Sequence, residues 1–303
     1  MTRQEFIEAG EYNAIAIEIL NFYVPIALEL TRLQKDPDFL KSTVKAVAES
    51  GISDVVTAAD IYVQNKLREV VRREYPEWQF WGEEGGDNTS EYDPNKEYLF
   101  ITDPIEGTNN FKSHKDDQWG SVVALVNIET REPVIGIVAH PAKRIFYVGT
   151  KNGGAWNISI SENNNWNISK MNSGPELDYY TYNNSPHFEA NIISQVDGFL
   201  SRGTVVASEE AATELEKSRK KVLMPKEEEQ VSFDDPESGA LEAVRCKGTI
   251  YFKTSNEMAA VFVILGELGG KVTDFSGKKW SLGINTMIAA RSAEEYKYLA
   301  SLV

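Results

Sequence analysis

Three short stretches of the 303-residue chain place carboxylates among neighbours unlike an ordinary surface. Phe80-Trp81-Gly82-Glu83-Glu84-Gly85-Gly86 holds two acids between aromatics and glycines. Asp103-Pro104-Ile105-Glu106-Gly107-Thr108-Asn109-Asn110-Phe111 follows the apolar run Tyr98-Leu99-Phe100-Ile101, and Asn256-Glu257 precedes the apolar run Met258 to Leu265. A strand that ends in acid-Pro-x-acid-Gly-Thr would present two carboxylates and a hydroxyl at one sheet edge. Mg2+ asks for hard oxygen ligands in near-octahedral geometry, completed by waters and substrate phosphate. Acids from three separated segments can build a site for two metals about 3.5–4 Å apart, one activating water and one stabilising the leaving oxygen. Gly107 would let the backbone approach a ligand closely, and Thr108 could hold the attacking water. Any one acidic pair is more often a solvated face or a turn; the coincidence of three with a glycine-bearing strand end is what points to chemistry.

The elements that must position these acids are legible in outline. Apolar residues at helical spacing run from about Gln4 to Leu33, with Pro25 expected to kink or divide the helix. A second helix is expected over Ala58 to Arg73, and a short buried strand over Tyr98 to Ile101, ending in a polar loop from Thr102 to Asn110. Ser121 to Asn127 and Pro133 to Ala139 read as a hairpin; Phe146 to Val148 and Ala155 to Ile158 continue the pattern around a Gly153-Gly154 turn. The Asn- and Ser-rich stretch Ser161 to Ser173 has little periodicity. It divides the chain into an N-terminal α+β lobe over 1–160 and a C-terminal α/β lobe over 161–303. In the latter, strands at Thr204 to Ala207 and Thr249 to Phe252 alternate with helical patterns at Phe188 to Phe199 and Met258 to Leu268. Glu209 to Gln230 reads as an exposed helix or excursion.

Composition bounds the function. An apolar share of 42% with 13 Phe, 13 Tyr and 6 Trp is that of a globular chain of one large two-lobed domain or two domains. A formal charge of −15 argues against a general nucleic-acid binder, whose partner recruits basic faces. It admits a small anionic substrate, because bound metal reverses the local sign. The single cysteine, Cys246, cannot form an internal disulfide and suits a reducing compartment. No stretch reads as a membrane span of about 20 residues, and the N-terminus lacks signal-peptide order, so a cytoplasmic location without membrane partners is expected. His114, His140 and His187 are scattered without zinc-ligand spacing. Gly153-Gly154 reads as a turn and not a phosphate loop, and Trp78, Phe80 and Trp81 read as packing.

Taken together the motifs resemble the inositol monophosphatase family of Mg2+-dependent, Li+-sensitive phosphatases, over nearly the whole chain. Asp54-Val55-Val56-Thr57-Ala58-Ala59-Asp60 is similar to the family's D-x-V-T-x-x-D, and Gly82-Glu83-Glu84 to G-E-E. Asp103 to Phe111 resembles D-P-[IL]-D-G-T-x-N-F, the most specific of the set. Glu257-Met258-Ala259-Ala260 and Glu267-Leu268-Gly269-Gly270 resemble W-D-x-A-A and E-A-G-G. The resemblance implies a layered αβαβα sandwich, commonly a homodimer, acting on a small phosphorylated metabolite with Mg2+; the departures from its pattern at Glu106 and Glu257 would admit Mn2+ in its place. By position, it implies that Glu83 and Asp103 bind a first metal with the Ile105 carbonyl. Asp103 would bridge to a second metal held by Glu106 and Glu257. Thr108, paired with Asp60, would orient and help deprotonate water, and backbone groups of Gly107 and Thr108 would hold the phosphate.

The chain departs from the pattern at the second metal. Glu106 and Glu257 stand where the family has aspartates, each one methylene longer, against Mg2+ ligand distances of about 2.0–2.1 Å. Asn256 replaces the tryptophan, and Lys253 stands where family members contact the rest of the substrate; there it meets a second anionic group or is a plain surface lysine. Three functions follow: a metal-dependent phosphatase of a sugar, cyclitol or nucleotide phosphate; a repurposed enzyme performing a non-hydrolytic step on a phosphorylated substrate; and a non-catalytic scaffold. Asp60, Glu83, Asp103 and Thr108 count against the third, because pure binding needs no water-activating pair.

Overall fold

The computed structural model describes residues 1–47, 53–84, 91–115, 118–171, 180–183, 239–251, 255–284 and 286–303. The segments Phe188 to Phe199, Thr204 to Ala207 and Glu209 to Gln230, together with Lys253 and His187, lie outside the described residues.

The N-terminal helical pattern is two helices, α1 (Arg3–Glu8) and α2 (Asn13–Leu33). The division falls at Ala9 to Tyr12, while Pro25 is carried inside α2. The reason lies at the junction: the Asn13 side-chain amide donates to the Phe6 carbonyl at 2.7 Å, which turns the chain between the helices. By length and composition α2 is apolar enough to cross a membrane, contrary to the expectation from sequence. In the fold it is a core helix, with Ala16, Leu20, Tyr23, Ala27 and Leu30 fully buried. A hairpin of β1 (Ser42–Val47) and β2 (Ser53–Thr57) leads directly into α3 (Ala58–Glu74).

Seven strands then form one sheet in chain order: β3 (Trp78–Gly82), β4 (Tyr98–Glu106), β5 (Gly120–Asn127), β6 (Glu132–His140), β7 (Ile145–Thr150), β8 (Gly154–Ile160) and β9 (Trp166–Lys170). Pairing is antiparallel throughout except between β3 and β4, which run parallel. β4 continues past Ile101 to Glu106, so the motif expected as a loop is the end of a strand. β9 lies within the Asn- and Ser-rich stretch; Ile168 is buried, and the Arg3 guanidinium covers the Trp166 ring at 3.8 Å. That cover comes from residues too distant in sequence to register as periodicity.

Strand alternation sends the two side-chain sets into different cores. Phe100, Val123, Leu125, Ile135, Ile137 and Val148 pack with α1, α2 and α3. Leu99, Ile101, Val122, Ala124 and Val138 pack with α5 (Gly239–Arg245) and α6 (Ser255–Glu267), following the short helix α4 (Thr108–Lys112) in chain order. A second sheet, in the order β10 (Tyr180–Asn183), β11 (Gly248–Tyr251), β13 (Met287–Ala290), β12 (Lys271–Thr273), covers the far side of α6. Met287 and Ala289 face that layer, while Ile288 and Ala290 face α7 (Ala293–Ala300) through Tyr296 and Leu299. The result is the αβαβα sandwich. Glycines set the spacing of its middle layer: a Cβ at Gly136 would collide with the Ala260 backbone, and one at Gly149 would lie 2.7 Å from the Cα of Ile264. α6, whose first turn carries Glu257, therefore rests backbone-close on β6 and β7.

Candidate functional site

Parallel pairing aligns Gly82 with Thr102, so the residues that follow, Glu83 and Asp103, come side by side at one sheet edge. The Glu83 N–H donates to the Thr102 carbonyl at 3.2 Å. Beyond Asp103 the register of β4 with β5 slips: Asp103 pairs with Val122, but Glu106 pairs with Gly120. Such a bulge re-aims side chains at a strand end. Within it, the Ile105 N–H donates to Asp103 Oδ1 at 3.1 Å, which orients that carboxylate. Asp103 and Glu106 are both buried.

Thr57 and Asp60 begin α3 as a reciprocal cap. Asp60 Oδ2 accepts from the Thr57 N–H at 2.8 Å and from its hydroxyl, leaving Oδ1 pointed at Thr108, whose Oγ1 lies 3.3 Å away and 3.0 Å from the Ile105 carbonyl. A residue that starts one helix and a residue that starts another thus meet across 48 positions. Burial pushes the Asp60 carboxyl up to about 7, and the negative charge of Glu83 adds to it; the Thr57 hydrogen bonds and Lys45 work the other way.

Lys45, on β1, reaches both acids of the Gly-Glu-Glu turn: its Nζ lies 3.1 Å from Glu83 Oε1 and 2.5 Å from Glu84 Oε1. Burial raises the Glu84 carboxyl, with the charge of Glu83 next in importance and Lys45 opposing both.

Gly107 has φ 89°, a left-handed conformation that favours glycine, and it opens α4. The helix is held from behind. The Gln34 amide donates to the Phe111 carbonyl at 3.0 Å, the Asn110 amide donates to the Gln118 carbonyl at 2.9 Å, and Phe111 stands edge-on to Trp119 at 4.9 Å. The Asn and Phe of the motif are therefore anchors that place Thr108.

The family model described as the inositol monophosphatase family matches residues 9–230. The chain belongs to the inositol monophosphatase family. Among its curated relatives, inositol monophosphatase 1 of Saccharomyces cerevisiae is 34% identical over 133 residues, 43% of this chain and 40% of that protein. The matched stretch thus spans less than half of that relative's length. The fructose-1,6-bisphosphatase/inositol-1-monophosphatase of Thermotoga maritima is 26% identical over 245 residues, 76% of this chain and 75% of that one. Among solved structures, the extragenic suppressor protein suhB of Bartonella henselae superimposes with a TM-score of 0.66 at 18% identity, over 94% of this chain and 98% of its own. That likeness carries the fold.

For a member of this family the donor set has the right chemistry. Glu83, Asp103, Glu106 and the Ile105 carbonyl offer only oxygen, the ligand of hard cations. Burying several carboxylates together is costly without compensating positive charge. Lys45 supplies one such charge. Among the described residues, no three His, Cys, Asp or Glu side chains converge as a metal-holding group. Glu257 lies in the first turn of α6, with its side chain outside the described residues.

Two contributors carry no sequence signal of their own: Lys45, and Gln64, whose side-chain amide hydrogen-bonds the Glu84 main chain. Lys45 lies in a two-stranded arm that local periodicity does not reveal. Gln64 stands four residues after Asp60 on α3, a spacing that places both on one helix face.

Proposed function

We propose that the chain hydrolyses a small phosphate monoester with metal-activated water. The observation that carries this is the Asp60–Thr108 pair, set beside the strand ends that bear Glu83 and Asp103. In this mechanism Glu83, Asp103 and the Ile105 carbonyl would hold Mg2+, or Mn2+, and Glu106 and Glu257 would serve a second ion. The ions supply Lewis acidity and lower the pKa of bound water. Thr108 donates its proton to Asp60 Oδ1, which leaves its lone pairs to accept from the attacking water. As the water oxygen bonds to phosphorus and the ester P–O bond breaks, the water proton passes through that hydroxyl to Asp60, which burial makes a stronger base than an exposed aspartate, and the leaving alkoxide takes a proton from solvent. Backbone groups of Gly107 and Thr108 orient the phosphate, and Lys253 meets the remainder of the substrate.

The substrate class is a sugar, cyclitol or nucleotide phosphate. The double name of the Thermotoga relative, which spans most of the chain, supports a range that includes sugar phosphates. A cytoplasmic location, which suits a chain with one cysteine, and a homodimer, common in the family, belong to the same proposal. The longer acids at Glu106 and Glu257 favour one alternative, a non-hydrolytic step on a phosphorylated substrate.

The test is phosphate release from sugar, inositol and nucleotide phosphates, with Mg2+ and Mn2+ run separately and Glu83→Gln as the blank. Release by the native chain, reduced at least about 100-fold in the blank, supports hydrolysis, since loss of a ligand should exceed the ~10–100-fold loss typical of its supporting partners. Undiminished release in Glu83→Gln overturns the site. Consumption of a phosphorylated substrate without free phosphate favours the alternative.

A further inference from the structure

We infer that Gln64 is a positioning residue that sets where Glu83 points, and with it the metal affinity of the site; this rests on the metal-dependent reading above. Gln64 is 1% exposed and belongs to α3, one turn beyond Asp60. Its side-chain amide grips the backbone of Glu84 at two points. The Glu84 N–H donates to Gln64 Oε1 at 2.8 Å, and Gln64 Nε2 donates to the Glu84 carbonyl. The reversed amide would set donor against donor and acceptor against acceptor, so its orientation is determined. On the other side of Glu83, a Cβ at Gly82 would collide with the carboxamide of Gln64. One side chain thus packs against residue 82 and hydrogen-bonds residue 84.

The backbone of the residue between them is tied as well, since the Glu83 N–H donates to the Thr102 carbonyl of β4 beside Asp103. A bidentate clamp on the main chain fixes the direction of the Glu83 Cα–Cβ bond, and with it where the Lys45-paired carboxylate stands. Because Asp60 and Gln64 share one helix face, α3 also holds the water-activating acid and the metal-binding turn in one rigid frame. Mg2+ demands near-octahedral ligand placement and Mn2+ takes the same oxygen donors, so a loosened turn lowers affinity even when every ligand is retained.

The experiment is calorimetric titration of the full chain with manganese chloride, alongside thermal melting. Gln64→Met keeps the length of the side chain and removes both hydrogen bonds. It should weaken Mn2+ binding by about 10- to 100-fold, the usual effect of removing a ligand's supporting partner. Gln64→Asn, with the amide one methylene too short, should fall between. Asn13→Ala removes a buried amide far from the site and serves as the control for simple destabilisation: it should lower the melting temperature and leave Mn2+ affinity native. Native affinity in folded Gln64→Met, or an equal loss in Asn13→Ala, overturns the inference. If Gln64→Met fails to fold, Gln64→Asn decides by the same criterion. A native chain that takes up no Mn2+ overturns the metal reading itself, an outcome distinct from a native chain that binds while its Gln64 variants bind equally well.

Discussion

At the β7–β8 turn one carboxylate is satisfied by its surroundings; at the ends of β3 and β4 several acids crowd together. Glu267, at the end of α6, accepts the N–H groups of Asn152 and Gly154, each at 2.8 Å. This acid of the Glu-x-Gly-Gly motif is a clasp that ties a hairpin turn to the helix beneath it. Glu83, Glu84, Asp60 and Asp103 lie at the sheet edge where β3 and β4 end. There burial pushes the Asp60 and Glu84 carboxyls upward, and Lys45 offsets only part of the charge. The two regions show that a shared charge type says nothing of role. An acid set apart from other charges, whose oxygens accept backbone N–H groups, stabilises the fold, whereas buried acids that share one site raise one another's carboxyls and favour a cation or a proton.

The difference can be broken experimentally. Asp60→Asn should lower the turnover of metal-dependent phosphate release by about 100- to 1000-fold, the contribution of a positioned general base, with Mn2+ affinity little changed. A variant that releases phosphate at the native rate would remove Asp60 from the chemistry. Glu267→Ala should show the reverse pattern. Its unfolding free energy should fall by about 1.5–3 kcal/mol, the worth of hydrogen bonds to a charged group. Phosphate release at a temperature where it remains folded should be native. A catalytic loss without a stability loss would erase the contrast. The smallest effect is expected for Lys45→Met. Removing a partly exposed ion pair should raise Mn2+ affinity by up to about fivefold, because a neighbouring cation no longer opposes the metal on Glu83. Weaker binding would mean that Lys45 holds Glu83 in place.

Much of the site is legible in the amino-acid sequence, because its residues are clustered in short motifs. Asp103, Glu106, Gly107 and Thr108 lie within six positions, and glycine followed by threonine after an apolar strand reads as a ligand-approaching turn. Thr57 and Asp60 carry a helix-starting pattern as well as a chemical one. The features that local patterning conceals have a common cause, which is contact with distant or off-pattern groups. The continuation of β4 to Glu106 is favoured by pairing with β5, and a Pro-containing acidic segment has no strand periodicity of its own. The break between α1 and α2 comes from the Asn13 amide and not from Pro25.

The amino-acid sequence by itself determined which donor groups this protein can offer: oxygen donors on separated segments, a hydroxyl after a glycine, and an acid at the head of a helix. These follow from residue type and short spacing, which are local properties. Only the tertiary structure decided which of the acids are neighbours. Parallel pairing of β3 with β4 brings Glu83 beside Asp103, α3 delivers Asp60 to Thr108, and Gln64 grips the turn between. Each is a contact between segments about 20 or more residues apart, won by burial and main-chain hydrogen bonding over the whole fold, and no short window of sequence contains both partners.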